Sequence, residues 1–297
     1  MQERTDVAAL VVHYDSPDTL KQTVGNLSQF FPPERLFVVD NSSSLADSEV
    51  GLHATIIDDG ENYGYAGGVN VGIRHISSIS AVREVLVCTH ETLFRENAVE
   101  LLLETASQHP GDHIVAPRLM TKSYDGADSI WSNGGTLSFP FFYPKHNRSR
   151  SRSGVRKAVW VDGAAFVIGV STWHRVGGVP EEFFMYMEDV ALGLQCQKLG
   201  IPVLTNLEAE VEQTANGPSR TLAIRNRAIL AMRYMGSIRR MVVLGEINLR
   251  SLLMAVHTDP IVKSKSRESK AAVREAKSIV DALKQADSSR PSIDLNY

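Results

Sequence analysis

Leu36-Phe37-Val38-Val39-Asp40-Asn41-Ser42-Ser43 is a short apolar run that stops at a cluster of polar side chains. A run of that length fits a strand buried on both faces. Polar residues at its carboxyl end stand where open α/β sheets bind their ligands. The pattern recurs outward from this stretch. Val7 to Val12 reads as a strand before it, and Thr55 to Ile57 as a short one after it. Glu84 to Cys88 reads as a fourth, ending at Thr89-His90-Glu91, and His113 to Ala116 as a fifth. Between them, Ser16 to Phe30 carries Leu20, Val24 and Leu27 at helical spacing and is stopped by Pro32-Pro33. Val71 to Ile76 and Asn97 to Gln108 are also helical in pattern. The alternation predicts an α/β fold with a mainly parallel central sheet flanked by helices.

The pattern changes after Trp131. Gly135 to Phe139 and Ala158 to Ile168 read as strands flanking a basic stretch, and Pro202 to Leu204 as another strand. A helix is expected from Glu188 to Gly200, an arginine-rich one over Thr221 to Met235, then helices over Ile238 to Val256 and Lys265 to Ala286, with frayed last residues. The expected organisation is a catalytic domain over 1–235 and a helical extension over 236–297.

Composition is that of an ordinary globular chain: 297 residues, 43% hydrophobic and 22% charged. A net charge of −3 argues for neither nucleic acid nor membrane. Cys88 and Cys196 sit in apolar segments and read as buried thiols of a reducing compartment. The polar start, Met1 to Asp6, leads straight into a strand and is not read as a signal peptide, and no apolar run reaches spanning length. A cytoplasmic protein is expected, with any membrane contact peripheral, at the inner face.

Two stretches carry candidate chemistry. Asn62-Tyr63-Gly64-Tyr65-Ala66-Gly67-Gly68-Val69-Asn70 joins glycines that admit close backbone approach to asparagines that offer directed hydrogen bonds. It is neither a P-loop nor a dinucleotide fingerprint; a plain tight turn is the common alternative, and the flanking asparagines favour a ligand. Glu181-Glu182-Phe183-Phe184-Met185-Tyr186-Met187-Glu188-Asp189 places an acidic pair after an aromatic run, at a loop-to-helix junction. A general base needs that placement; a carboxylate favoured by the helix dipole is the plainer account.

In order, these elements resemble the family 2 inverting glycosyltransferases of the GT-A fold, in particular their rhamnosyltransferase-like branch. The resemblance rests on Val11-Val12-His13-Tyr14, Val38 to Ser43, Asn62 to Ile73, Phe183 to Gly200, and Ser219 through Arg225-Asn226-Arg227, within residues 7 to 235. It implies a nucleotide-sugar site at His13, Tyr14, Asp40, Asn62, Gly67, Gly68 and Asn70, with Asp40 accepting from a pyrimidine N3–H. It makes Asp189 the general base and Glu188 a supporting group. It implies a UDP- or dTDP-sugar donor and a hydroxyl acceptor: a cell-wall, polyprenyl-linked or other saccharide, or a small natural product.

The chain departs from that family at the metal-binding element, which here reads Cys88-Thr89-His90-Glu91-Thr92, and at Val211-Glu212-Gln213, where the family often has a histidine. Glu91, and more weakly His90, are the candidate ligands for Mg2+ or Mn2+. The alternative is a metal-independent reaction in which Arg220, Arg225 and Arg227 stabilise the leaving diphosphate. Lys145, Arg148, Arg150, Arg152, Arg156 and Lys157 form an acid-free stretch, read as a solvated loop or as the binder of an anionic acceptor. With no aromatic residues between the arginines, nucleic acid is not expected. Arg239-Arg240 and the apolar residues after them suit packing on the domain, a homodimer contact or a membrane surface. Two rivals stay open: a nucleotidyltransferase making sugar nucleotides, and a non-catalytic nucleotide-sugar-binding scaffold.

Overall fold

The computed structural model describes residues 6–45, 48–79, 81–123, 126–150, 153–214 and 219–289. Residues 1–5, Arg152 and the last residues, 290–297, lie outside that set. The chain forms two compact units: residues 1–137 with 144–216, and residues 138–143 with 217–297.

The first unit is built on strands whose alternating side chains enter two cores. In β1 (Val7–His13), Val7, Ala9 and Val11 face one core while Ala8, Leu10 and Val12 face the other. β2 (Leu36–Asp40) is likewise buried throughout. One core takes helix α1 (Pro17–Leu27), and the other takes α2 (Gly64–Ile79). β1 lies parallel to β2 and to β4 (Glu84–Thr89), and β2 lies parallel to β3 (Thr55–Ile57). His13 is level with Asp40 and Val12 with Thr89, so three carboxyl strand ends meet along one edge.

The other half of the sheet is mixed rather than mainly parallel. Beyond β5 (Thr92–Phe94) and α3 (Ala98–Ser107) comes β6 (Ile114–Lys122), which extends past the expected Ala116 and pairs antiparallel with β7 (Asp128–Ser132). β8 (Gly135–Ser138) and β9 (Tyr143–His146) form a separate ribbon. The basic stretch is therefore structured at both ends, by β9 and by β10 (Val155–Lys157). β11 (Ala165–Gly169) runs antiparallel between β4 and β6. Residues 158–164 are not strand but lead into it, and they carry Asp162 and Gly163. After α4 (Val170–Val176) and α5 (Glu188–Leu199) comes β12 (Val203–Gln213), far longer than Pro202 to Leu204. Strand order is β10-β12-β6-β11-β4-β1-β2-β3, with β5 on β12 and β7 on β6.

The second unit packs α6 (Arg220–Tyr234), α7 (Ser237–Ala255) and α8 (Pro260–Ser289) on one another. Its buried ion pair is Arg227 with Glu246, 2.5 Å apart. Tyr143 donates to the same carboxylate at 2.7 Å, and the Arg227 guanidinium lies 3.7 Å from the centre of the Tyr143 ring. Burial pushes the Glu246 pKa up, but Arg227 and Tyr143 outweigh it and leave the carboxyl below its ordinary value. Among the described residues, no helix is long and apolar enough to cross a membrane.

Candidate active site

The glycine-rich block is mostly helix, not loop. α2 begins at Gly64, so Gly67, Gly68 and Asn70 lie within it. The glycines make room for neighbours: a Cβ at Gly68 would come within 2.9 Å of Val12, and one at Gly72 within 2.4 Å of Leu10. This helix lies against β1 because those positions lack side chains. Gly64 has φ +67°, and a Cβ there would stand 2.3 Å from the Phe184 carbonyl oxygen. That carbonyl accepts from Tyr65 N at 2.8 Å, which stitches the glycine block to the aromatic block. Asn62 is exposed, and its Oδ1 accepts from Gly64 N. Asn41 is buried; it donates to Gly64 O at 2.9 Å and accepts from Tyr63 N.

Asn70 is 4% exposed and fully occupied inside the protein. Its Oδ1 accepts from Trp173 Nε1 and Val179 N, both at 2.8 Å. Its Nδ2 donates to Val179 O at 2.8 Å and Glu181 at 2.7 Å. These bonds make Asn70 a latch on the loop that leads to the acidic pair.

Asp40 is equally committed. Oδ1 accepts from the amide and hydroxyl of Ser42, and Oδ2 from the amides of Ser44 and Leu45. Burial raises its pKa, but these bonds and neighbouring His13 more than offset that and leave it below the ordinary range. All four lone-pair positions of the carboxylate are engaged, so a pyrimidine N3–H would have to displace one of these donors. His13 is fully buried, and its Nε2 lies 3.3 Å from Ser44 Oγ. Burial and nearby His90 push its pKa down to about 4, and its Nδ1 has no partner. His90 stands edge-on to it, ring centres 5.2 Å apart, and Tyr14 beside it is 53% exposed. His90 Nε2 lies 3.8 Å from Glu91 Oε1. Among the described residues no group of three or more His, Cys, Asp or Glu could hold a metal. At the other departure from the family pattern, Glu212 is engaged by Arg95 at 2.7 Å.

The acidic pair is held by strained backbone. Phe184, Tyr186 and Met187 have φ of +63°, +68° and +75°. Met185 N donates to Phe183 O at 2.7 Å, a tight three-residue turn centred on Phe184. Non-glycine residues held this way cost of order 1–3 kcal/mol each and cluster at functional sites. α5 then starts at Glu188, which is buried and whose Oε2 has no partner. Burial, then adjacent Asp189, drive the Glu188 pKa well above its ordinary value. Asp189 is half-buried. It accepts from Gly163 N at 3.2 Å and Val190 N at 2.7 Å. Burial, then the charge of Asp162, raises its pKa to about 7.

Asp162 is the residue that sequence reading missed. Its Oδ1 accepts from Ala164 N, its Oδ2 accepts from Trp131 Nε1 at 3.0 Å, and His146 lies 3.8 Å away. The Tyr65 hydroxyl donates to Gly163 O, so the 162–163 turn is gripped from α2, β7 and α5. Arg148 of the basic stretch lies 5.1 Å from the centre of the Trp131 ring. Burial, then Glu188 and Glu91, raise the Tyr186 pKa.

Arg220, Arg225 and Arg227 belong to the helical unit and are partnered there: Arg220 with Lys265 O and Ser269, Arg225 with Glu275, Arg227 with Glu246 and Phe141 O. Both cysteines are buried and unpaired, and burial pushes each thiol up to about 12.

No family model matches the chain. Over 288 residues it is 25% identical to an N-acetylglucosaminyl-diphospho-decaprenol L-rhamnosyltransferase of Mycobacterium tuberculosis, covering 84% of this chain and 93% of the relative. It is 26% identical over 202 residues to the low-salt glycan biosynthesis hexosyltransferase Agl10 of Haloferax volcanii, covering 67% and 64%. Among solved structures, GalNAc-T7 with UDP, GalNAc and Mn2+ matches with a TM-score of 0.61 at 11% identity, over 95% of this chain and 58% of that one. S. aureus TarS 1–349 matches at 0.54 and 10%, over 95% and 92%. The GT-A fold expected from the motifs is the fold observed.

Proposed function

We propose that this GT-A-fold glycosyltransferase moves a sugar, with inversion, from a UDP- or dTDP-sugar to a hydroxyl of a polyprenyl-diphosphate-linked saccharide. The observation that carries the chemistry is Asp189: half-buried, fixed by Gly163 N, and tuned to about 7. A general base works best with a pKa near the operating pH. Ionised Asp189 takes the proton of the acceptor hydroxyl as that oxygen attacks the anomeric carbon, and the nucleoside diphosphate leaves. Buried Glu188 supports the base from the adjacent position, and the charge of Asp162 makes the base harder to ionise. The acceptor class is supported by the relative that acts on a diphospho-decaprenol sugar. Arg148, over Trp131 and next to the acid cluster, is a suitable cation for the acceptor's diphosphate.

His90 and Glu91 offer two adjacent donors, which suits a divalent ion that takes its remaining ligands from the donor diphosphate rather than an all-protein cage. When bound, such an ion would neutralise the leaving group. The structural neighbour that holds Mn2+ with UDP favours this over a metal-free reaction.

The test is transfer from UDP- and dTDP-sugars to a polyprenyl-diphosphate sugar, by wild type and by Asp189→Asn. The variant is expected to fold, bind donor and lose transfer about 10²–10⁴-fold. Retained transfer removes Asp189 as base. Release of pyrophosphate instead of nucleoside diphosphate would identify a nucleotidyltransferase, and donor binding without turnover by wild type would identify a scaffold. Nucleotide-induced thermal stabilisation that vanishes in EDTA would support His90 and Glu91 as ligands.

A further inference from the structure

Phe183 and Phe184 are neighbours with opposite fates. Phe183 is fully buried, whereas Phe184 is 44% exposed. A large apolar side chain turned to solvent is ordinary on a relaxed loop. Here the backbone is strained to put it there. Phe184 has φ +63° and ψ −54°, the rare and strained hand of the three-residue turn. An outlier of that kind points to function where core packing does not account for it. The ring is also seated rather than free. A Cβ on Gly64 would lie 2.7 Å from Phe184 Cδ2, so the bare backbone of Gly64 is what lets the ring rest at the start of α2. Hydrogen bonds then tie this residue to the acidic site. The Phe184 carbonyl accepts from Tyr65 N at 2.8 Å, the Tyr65 hydroxyl donates to Gly163 O, and Gly163 N donates to Asp189 at 3.2 Å. The segment 184–189 joins the ring and the carboxylate a second time, through the chain itself.

We infer that Phe184 is a stacking platform for a sugar ring beside Asp189. The C–H face of a pyranose is apolar and matches an aromatic face, while the hydroxyls at its edge stay free for polar partners. A ring held by Gly64 and by its own backbone turn is positioned before the sugar arrives, which is what orientation of a reacting hydroxyl requires. Phe183, in the core, anchors the turn from beneath. That a sugar comes to this site rests on the transferase reading. Donor and acceptor each bring one, and the test separates the two.

The experiment is calorimetric titration of the full chain with one ligand at a time, so that no transfer occurs. The ligands are UDP- and dTDP-hexoses, UDP and dTDP alone, and a short-chain prenyl-diphosphate N-acetylglucosamine. Phe184→Ala is expected to weaken a sugar ligand about tenfold and to leave the free nucleotides unchanged. A loss confined to the nucleotide sugars assigns the donor sugar to the ring; a loss confined to the prenyl ligand assigns the acceptor sugar. Phe184→Leu, bulky but without a flat face, is expected to bind as Phe184→Ala does, and Phe184→Trp to restore affinity. In melting, Phe184→Gly is expected to stand above Phe184→Ala, because glycine relieves the positive φ, while both bind sugar equally poorly. Sugar ligands held as tightly by Phe184→Ala as by wild type overturn the inference. So do an equal loss for UDP and UDP-hexose, a Phe184→Leu that binds like wild type, a Phe184→Gly that melts below Phe184→Ala, and a wild type that binds no sugar ligand. Turnover is a separate readout: absence of transfer in wild type ends the transferase reading, whereas sugar affinity that depends on the ring still supports the platform.

Discussion

Replacing Asn70 by alanine removes a side chain that satisfies three buried groups at once. Trp173 Nε1 and Val179 N lose their acceptor, and Val179 O loses a donor. A buried donor left unmade costs about 1–3 kcal/mol, and a water entering the vacated space offsets part of that. The expected loss is about 3–5 kcal/mol, a large share of a typical folding free energy of about 5–15 kcal/mol. Urea titration followed through the unfolding midpoint, with the slope unchanged, measures it. Asn70→Asp separates the two halves of the amide. It keeps both accepting bonds but loses the donors to Val179 O and Glu181, and it sets a carboxylate against Glu181. Its destabilisation is expected to be larger near neutral pH than in acid. Asn70→Ala losing less than about 1 kcal/mol, with nucleotide affinity falling tenfold, would refute the latch and return Asn70 to the sugar-nucleotide.

Gly64→Ala combines a positive φ with a Cβ 2.3 Å from Phe184 O, so a loss of about 2–4 kcal/mol and of most transfer activity is expected; wild-type melting and turnover would count against the close approach. For pH, the proposed base Asp189 would have to be ionised to take a proton, so kcat/KM is expected to rise through about pH 7 and level off above it. Asp162→Asn removes a neighbouring negative charge, makes ionisation easier and moves that limb to lower pH; an unmoved limb means that Asp162 does not reach the base. For stability the sign is opposite to that of a salt-bridged carboxylate. The folded pKa of Asp189 is raised above its unfolded value of about 3.9, so its contribution is intact below that pH and lost as pH climbs to about 7. Asp189→Asn is therefore expected to melt higher than wild type above pH 7, by an amount that shrinks toward pH 4.

The parallel half of the sheet was legible because β1 and β2 are buried on both faces and so read as unbroken apolar runs. β11 is just as apolar, but an apolar run carries no direction, and its antiparallel placement comes from its partners β4 and β6. β12 runs on past Leu204 through Asn206, Glu208, Glu210 and Glu212, polar residues that do not extend an apolar run. Their partners are distant: Asn206 bonds Thr105, and Arg95 engages Glu210 and Glu212. The acidic pair was visible as local sequence, whereas Asp162 sits in Val161-Asp162-Gly163-Ala164, which gives no local sign of a site. Its importance arises when α5 brings Asp189 to the Gly163 amide. Asp40 and Asn70 were found for their position, yet the structure engages both in holding loops.

The chain's three tryptophans, Trp131, Trp160 and Trp173, all lie in the sheet-containing unit. Trp131 is bonded to Asp162 and packs against His146, Trp160 packs edge-on to the same imidazole, and Trp173 is bonded to Asn70. The protein thus carries its own optical probe. Indole emission follows the acid cluster and the latch, while far-ultraviolet dichroism sees both units. Recorded together on one unlabelled sample, the two signals tell whether the units melt in one transition or in two.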